Sequence, residues 1–193
     1  YNWSRRWEYP YCWLNLRGRG PGRLLDAGSG ITFFPFFLER EGYEVSCADI
    51  DRGLAPVFER ARLPLGSAVE FRACGIDALD WPAEPFAAVV CVSVLEHAPG
   101  RTRAIAELAR VLKPGGRLAI TWDVSLSRDC DVLMEDVAVL LAGLAERFEP
   151  LHPLDLLRPT SLLTTDRGRA TEPWRLAWRA QHQGLRRVVE TLI

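Results

Sequence analysis

Short apolar runs alternate with helix-spaced apolar positions between residues 23 and 123. Such alternation predicts strands and helices that follow each other along the chain, and therefore a mostly parallel sheet with helices on both faces. The most continuous apolar run, residues 86–93, is typical of a central strand that is buried on both sides. The predicted strands lie at residues 23–28, 43–49, 68–74, 86–93 and 117–123.

Apolar residues at helical spacing predict four helices. The first contains Pro35 in its first turn and is followed by Gly42, a residue type that often ends helices. The third is followed by KPGG, residues 113–116, which predicts a stop and a turn into the fifth strand. The predicted helices span residues 32–41, 52–63, 101–112 and 130–148.

The composition is that of an ordinary globular domain. The chain has 193 residues, 48% of them hydrophobic and 25% charged, with a net charge of -1. This charge gives no field that would attract nucleic acid or an anionic membrane, so we expect neither as a partner. A single lysine, Lys113, stands among 24 basic residues, and we interpret this arginine bias as the mark of a GC-rich, bacterial genome.

No apolar run reaches the roughly 18 residues that a membrane-spanning helix needs, and the first ten residues do not resemble a signal peptide. We therefore expect a cytoplasmic protein. The chain begins at Tyr1 rather than at Met, from which we expect a trimmed N-terminus or one that lies upstream.

The cysteines are widely spaced, odd in number and contain no C-x-x-C pair. This pattern predicts neither a metal site nor a disulfide framework, but reduced and buried thiols. They are Cys12, Cys47, Cys74, Cys91 and Cys130.

A glycine-rich turn follows the first predicted strand, in the segment LLDAGSG of residues 24–30. Gly28 and Gly30 present backbone N–H groups without a Cβ in the way, and the next helix begins behind them. This arrangement suits a nucleotide-like ligand. A tight turn without a ligand is the alternative explanation.

Asp49 ends the second predicted strand, about 20 residues beyond the glycine turn. A carboxylate at this position accepts hydrogen bonds from both hydroxyls of a ribose. Asp51 is a second candidate for that role, and an aspartate here also suits a helix N-cap. The glycine turn and the aspartate are also features of nicotinamide dehydrogenases, so these two features alone do not identify the class of protein.

Three motifs later in the chain distinguish it from a nicotinamide dehydrogenase. GIDALDWP (75–82), SVLEH (93–97) and ELARVLKPGGRLAIT (107–121) follow in this order. Together with LLDAGSG and CADID (47–51), they resemble the small-molecule class I methyltransferases that use S-adenosylmethionine. The resemblance covers about 100 of the 193 residues, and the stretch 107–118 carries most of it.

The resemblance implies a Rossmann-like three-layer α/β sandwich with a mostly parallel sheet of about seven strands. The cofactor would lie across the carboxyl ends of strands one, two and four. Its methionine part would be held by Asp26, Ala27, Gly28 and Gly30.

The same resemblance implies that Asp49 binds the ribose and that Ile50 packs against the adenine. Asp77 would accept a hydrogen bond from the adenine amino group, with Ala78 beside it. The site under the sulfonium would be lined by Ser93 and Val94.

Two positions depart from the family pattern. Thr32 stands where a third glycine is usual, and Ala87 follows Phe86 where an aspartate is usual. We expect Thr32 to cap the first helix of the sheet domain, and the change at Ala87 to remove a carboxylate with a structural role.

Methyl transfer requires a nucleophile aligned in line with the sulfonium methyl and protected from water. A hydroxyl or ammonium acceptor also needs a base. His97 follows the central strand and is the best candidate for that base, although Glu-His at this turn also serves simply to start the next segment. Asp123 and His152 are weaker candidates, and His182 lies in a segment without an assigned element.

We expect one domain in three stretches. Residues 1–22, rich in Trp and Tyr, form either a lid over the cofactor site or an entry helix that packs on the sheet. Residues 23–125 form the cofactor-binding core, and residues 126–193 complete the sheet and shape the acceptor pocket.

The favoured function is methyl transfer to a small molecule at oxygen, nitrogen or carbon. The alternatives are a cofactor-binding partner or regulatory subunit without catalysis, and a nicotinamide oxidoreductase. Trp174 and Trp178, four residues apart, would share a helix face that packs in the core or forms a homodimer contact.

Overall fold

The computed structural model describes residues 4–18, 21–125 and 132–151. The chain divides into two compact units, of which the larger, Leu16–Phe148, contains the sheet. Helix α1 (Arg5–Leu16) belongs almost entirely to the smaller unit. Pro10 lies inside this helix.

The larger unit alternates strands and helices. Its elements are β1 (Arg23–Ala27), α2 (Phe34–Arg40), β2 (Glu44–Asp49), α3 (Ala55–Leu65), β3 (Glu70–Ala73), β4 (Phe86–Val92), α4 (Arg101–Val111), β5 (Leu112–Thr121) and α5 (Met134–Ala145). Short 3-10 helices lie at Arg52–Leu54 and Leu95–His97.

The sheet has the order β3-β2-β1-β4-β5, and every pairing is parallel. Leu25 of β1 lies opposite Ser46 of β2 on one side and Val89 of β4 on the other. The strand order reverses between β1 and β4, and in open α/β sheets ligands bind outside the carboxyl ends of the strands at such a point. The topology therefore places a candidate site beside β1, β2 and β4.

The core lies between the sheet and its helices. Leu25, Phe86 and Val89 are fully buried in the strands. On α4, Ile105 and Leu108 are equally buried, as their helical spacing predicts. The predicted α/β fold class is thus confirmed.

The stretch 113–116 differs from its prediction as a turn. Strand β5 begins at Leu112, directly after α4, so these residues lie within the strand, with residues 113–115 exposed. The register against β4 shifts between Phe86 and Ala88, and Gly115 has a φ of 72°. This irregularity lets a Pro-Gly-Gly segment lie within a strand, because a bulge does not require every backbone N–H to pair.

The described residues contribute five strands rather than the expected seven or so. Within the C-terminal stretch, residues 126–131 and 152–193, which include Trp174 and Trp178, lie outside the described part of the chain. In residues 4–18, 21–125 and 132–151, no helix has the length and apolar character to cross a membrane.

Candidate functional site

The carboxyl ends of β1 and β2 are joined by backbone hydrogen bonds. The carbonyl of Ala48 in β2 accepts from the N–H of Gly28 at 2.7 Å and from that of Ser29 at 3.0 Å. Gly28 and Gly30 have φ of 81° and 53°, which are left-handed conformations that favour glycine. The glycine-rich segment is therefore a tight turn held against the end of the neighbouring strand.

Asp49 connects this turn to the end of β2 through its side chain. Its Oδ2 accepts from the N–H of Gly30 at 2.9 Å, and its Oδ1 accepts from the N–H of Asp51 at 3.0 Å. A carboxylate offers about four acceptor sites, so both oxygens keep capacity for a further donor such as a hydroxyl.

Asp51 has a different role. It is the N-cap of the 3-10 helix Arg52–Leu54, where its Oδ1 accepts from the N–H of Gly53 at 2.8 Å. Of the two aspartates considered for the ribose, Asp49 is therefore the one that contacts the glycine turn.

The residues after β4 reach the same turn. A Cβ placed on Gly28 would lie 2.5 Å from Cγ1 of Val94, so the valine side chain occupies the space that a larger residue would need. Ser93 has a φ of 49°, and its N–H donates to the carbonyl of Thr121 at 3.0 Å. A positive φ at a non-glycine residue is a strained conformation that is often found in functional sites.

A second group of predicted residues surrounds Gly75. A Cβ on Gly75 would lie 2.7 Å from Oδ1 of Asp77 and 3.9 Å from Cδ1 of Ile50, so these two side chains face the same glycine. Ile50 is 80% exposed, so its apolar side chain is accessible and could serve as a platform for a flat ring. The N–H of Ala78 donates to the carbonyl of Gly75 at 3.0 Å and closes the turn.

The last two residues of β1 are buried. Ala27 is fully buried, and Asp26 is 4% exposed. In the sheet register, Asp26 lies between Cys47 of β2 and Val90 of β4. They lie directly before the glycine turn and support it from within the sheet.

His97 and Glu96 lie on the 3-10 helix after β4, and their exposures differ. His97 is exposed, whereas Glu96 is 2% exposed. Burial raises the pKa of Glu96 to about 7, against the lowering effect of its hydrogen bonds from backbone N–H groups. The burial of Glu96 could not be predicted from the sequence, because the spacing of residues 93–97 gives no sign of which side chain points inward.

Of the other candidate bases, only Asp123 lies among the described residues. Asp123 follows β5, and its backbone N–H donates to Oε1 of Glu96 at 3.2 Å. His152 and His182 lie outside the described residues.

The two departures from the family pattern have local explanations. Oγ1 of Thr32 accepts from the N–H of Phe34, the first residue of α2, at 3.3 Å, whereas the N-cap position expected for Thr32 is occupied by Phe33. The Cβ of Ala87 lies 3.0 Å from the position that a Cβ on Gly22 would take, which indicates a small residue at a close approach of two chain segments.

Taken together, the carboxyl edge of this sheet has the features of a nucleoside-binding α/β enzyme: a glycine turn, a carboxylate with free acceptor sites and an exposed apolar platform. A family model described as a methyltransferase domain matches residues 25–120. The chain belongs to the S-adenosylmethionine-dependent methyltransferase family.

Relatives support this assignment. The chain is 31% identical over 186 residues to the ubiquinone biosynthesis O-methyltransferase of Xanthomonas oryzae pv. oryzae, covering 88% of this chain and 74% of that protein. It is 32% identical over 168 residues to the protein of the same name from Xylella fastidiosa, covering 79% of this chain and 66% of that protein. The chain thus spans just under two thirds of the length of the Xylella relative.

A solved structure shares the fold. The 1,6-didemethyltoxoflavin-N1-methyltransferase of Burkholderia thailandensis, solved with S-adenosylhomocysteine, has a TM-score of 0.58 and 22% identity, covering 71% of this chain and 64% of that one. The family expected from the sequence is thus confirmed.

Proposed function

We propose that this chain transfers the methyl group of S-adenosylmethionine to a small-molecule acceptor. The observation that carries the proposal is the hydrogen bond from the Gly30 N–H to Oδ2 of Asp49, at 2.9 Å. It joins the glycine turn after β1 to the carboxylate that ends β2, at the point where the strand order reverses.

The cofactor would lie along this edge, with its methionine part beside Asp26, Ala27, Gly28 and Gly30. Its ribose hydroxyls would donate to Asp49, which keeps acceptor capacity on both oxygens. The adenine would lie on the exposed side chain of Ile50, with Asp77 and Ala78 at its edge and Ser93 and Val94 under the sulfonium.

When bound, the cofactor supplies an electrophilic methyl group. The protein must hold an acceptor in line with it at about 3 to 3.5 Å and exclude water. The names of the relatives favour an oxygen acceptor. A hydroxyl loses a proton during transfer, and His97, exposed after β4, is the proposed base.

Calorimetric titration with S-adenosylhomocysteine tests the cofactor site. Wild-type protein and Asp51→Asn should bind it with similar affinity, because Asp51 caps a helix. Asp49→Asn should bind about tenfold or more weakly, since it removes the charge that holds both the turn and the ribose. NADH serves as the control ligand and should not bind.

The catalytic step is tested by the transfer of tritiated methyl groups to hydroxylated aromatic compounds and to amines. Binding of the cofactor without transfer to any acceptor would favour the alternative of a non-catalytic partner or regulatory subunit. If wild type does not bind S-adenosylhomocysteine, the proposed function is wrong for this chain. In an active enzyme, His97→Gln should lower the rate of methyl transfer.

A further inference from the structure

The loop that carries Asp77, between β3 and β4, is held by two side chains of α4. The N–H of Leu79 donates to Oε2 of Glu107 at 2.9 Å. The guanidinium of Arg110 donates to the carbonyl of Leu79 at 3.0 Å and to that of Trp81 at 2.7 Å. Three backbone groups of this loop therefore find their partners on one helix.

Glu107 and Arg110 also bind each other. Nε of Arg110 lies 2.7 Å from Oε1 of Glu107, and its Nη2 lies 2.7 Å from Oε2. This bidentate geometry is the one in which Arg and carboxylate restrict each other most. The hydrogen bonds from Arg110 lower the pKa of Glu107, so Glu107 remains charged at neutral pH.

The loop is anchored in the core on either side of these hydrogen bonds. Leu79 and Trp81 are 5% and 6% exposed, and the Trp81 ring packs edge-on against Phe86 with centroids 5.5 Å apart. Asp77 lies two residues before Leu79, and its Oδ1 points toward Gly75. The position of its carboxylate is therefore determined by a segment whose polar backbone groups depend on Glu107 and Arg110.

We propose that Glu107 and Arg110 are positioning residues for the adenine end of the cofactor site, because they fix the loop that presents Asp77 beside Ile50. This inference rests on the proposed function. Both residues belong to the stretch 107–118, which carries most of the family resemblance.

Two variants test the inference without removing the side chains. Glu107→Gln keeps the acceptor for the Leu79 N–H but loses the ion pair. Arg110→Lys keeps the charge, but one ammonium group cannot reach both carbonyls and the carboxylate in the same geometry. The matched control is Glu59→Gln, which breaks an exposed Arg62–Glu59 pair of the same spacing on α3.

The readout is the affinity for S-adenosylhomocysteine compared with that for S-inosylhomocysteine, whose base carries an oxygen in place of the amino group. Wild type and Glu59→Gln should prefer the adenine compound. In Arg110→Lys and Glu107→Gln, affinity for the adenine compound should fall about five- to tenfold, as expected for the loss of one or two hydrogen bonds. Affinity for the inosine compound should change little, so the preference for the adenine compound should become smaller than in wild type.

Thermal unfolding without ligand shows whether each variant is folded at the titration temperature. The inference is overturned if a folded variant loses affinity for both compounds by the same factor, or keeps the preference of wild type. Neither outcome affects the proposed function. A wild type without preference for adenine would also overturn it. Failure of wild type to bind either compound would instead contradict the proposed function.

Discussion

The side chain of Glu96 ends at the backbone of Asp123. Its Oε1 accepts from the Asp123 N–H at 3.2 Å, while its Oε2 is buried and has no hydrogen-bond partner among residues 4–18, 21–125 and 132–151. The bond connects the 3-10 helix after β4 to the segment that follows β5. Because Ser93 and Val94 precede this helix, a buried acid takes part in holding the residues next to the glycine turn.

Glu96 makes stability depend on pH. Burial raises its pKa from 4.5 to about 7, so the folded chain holds a proton that the unfolded chain releases between these values. Stability from this group is full below about pH 4.5 and falls as the pH rises toward 7. Glu96→Gln lacks the titrating carboxyl group, so it should not show this loss. The free energy of unfolding of the variant minus that of wild type should therefore be about 2 to 3 kcal/mol larger at pH 8 than at pH 5.

Urea denaturation at both pH values measures this difference. Glu59→Gln, at an exposed glutamate, is the control and should show no such change. If the free energies of unfolding of wild type and Glu96→Gln differ by the same amount at pH 5 and at pH 8, Glu96 does not titrate in this range.

Gly28→Ala should destabilise the chain and weaken binding of S-adenosylhomocysteine. An alanine at φ 81° costs about 1 to 2 kcal/mol, and its methyl group would overlap Val94. Gly18→Ala is the matched control, since Gly18 has the same φ and no atom of the described part of the chain lies within 4 Å of its Cβ position. Urea denaturation should show a larger loss in the free energy of unfolding for Gly28→Ala than for Gly18→Ala. Adding Val94→Ala to Gly28→Ala should restore part of the difference. Equal losses at both glycines would contradict the close approach of Val94.

Leu108→Ala should lower the free energy of unfolding by about 2 to 5 kcal/mol, because it leaves a cavity between α4 and the sheet. Leu108 is fully buried, whereas Leu63 on α3 is 75% exposed. The same change at Leu63 should cost less than about 1 kcal/mol. Chemical denaturation of the two variants compares them directly, and similar losses would mean that this face of α4 is not core.

Cys47 and Cys91 should resist alkylation in the native protein. Both thiols are fully buried, and burial raises the pKa of each well above its usual range, so almost no thiolate forms at pH 8. Mass spectrometry of peptides after iodoacetamide treatment should find both unmodified until the protein is unfolded. Rapid native labelling of either one would contradict its place in the sheet.

Much of the fold follows from local sequence. The strands β1 to β4 lie within or at their predicted ranges, because continuous apolar runs have few alternatives to a buried sheet. The glycine turn and Asp49 were also predictable, since both depend on residue type and spacing along the chain. The roles of the ten cofactor-binding residues, of His97 and of the segments 1–22 and 126–193 remain predictions.

Contacts between distant segments were decided only by the tertiary structure. Residues 113–116 read locally as a turn, yet β5 begins at Leu112 because β4 supplies a pairing partner with a shifted register. The inward direction of Glu96 and the hydrogen bonds of Glu107 and Arg110 to a loop 28 to 31 residues away have no local signature. Periodicity along the sequence reports which face of an element is buried, whereas the partner of a polar side chain is known only once the chain has folded.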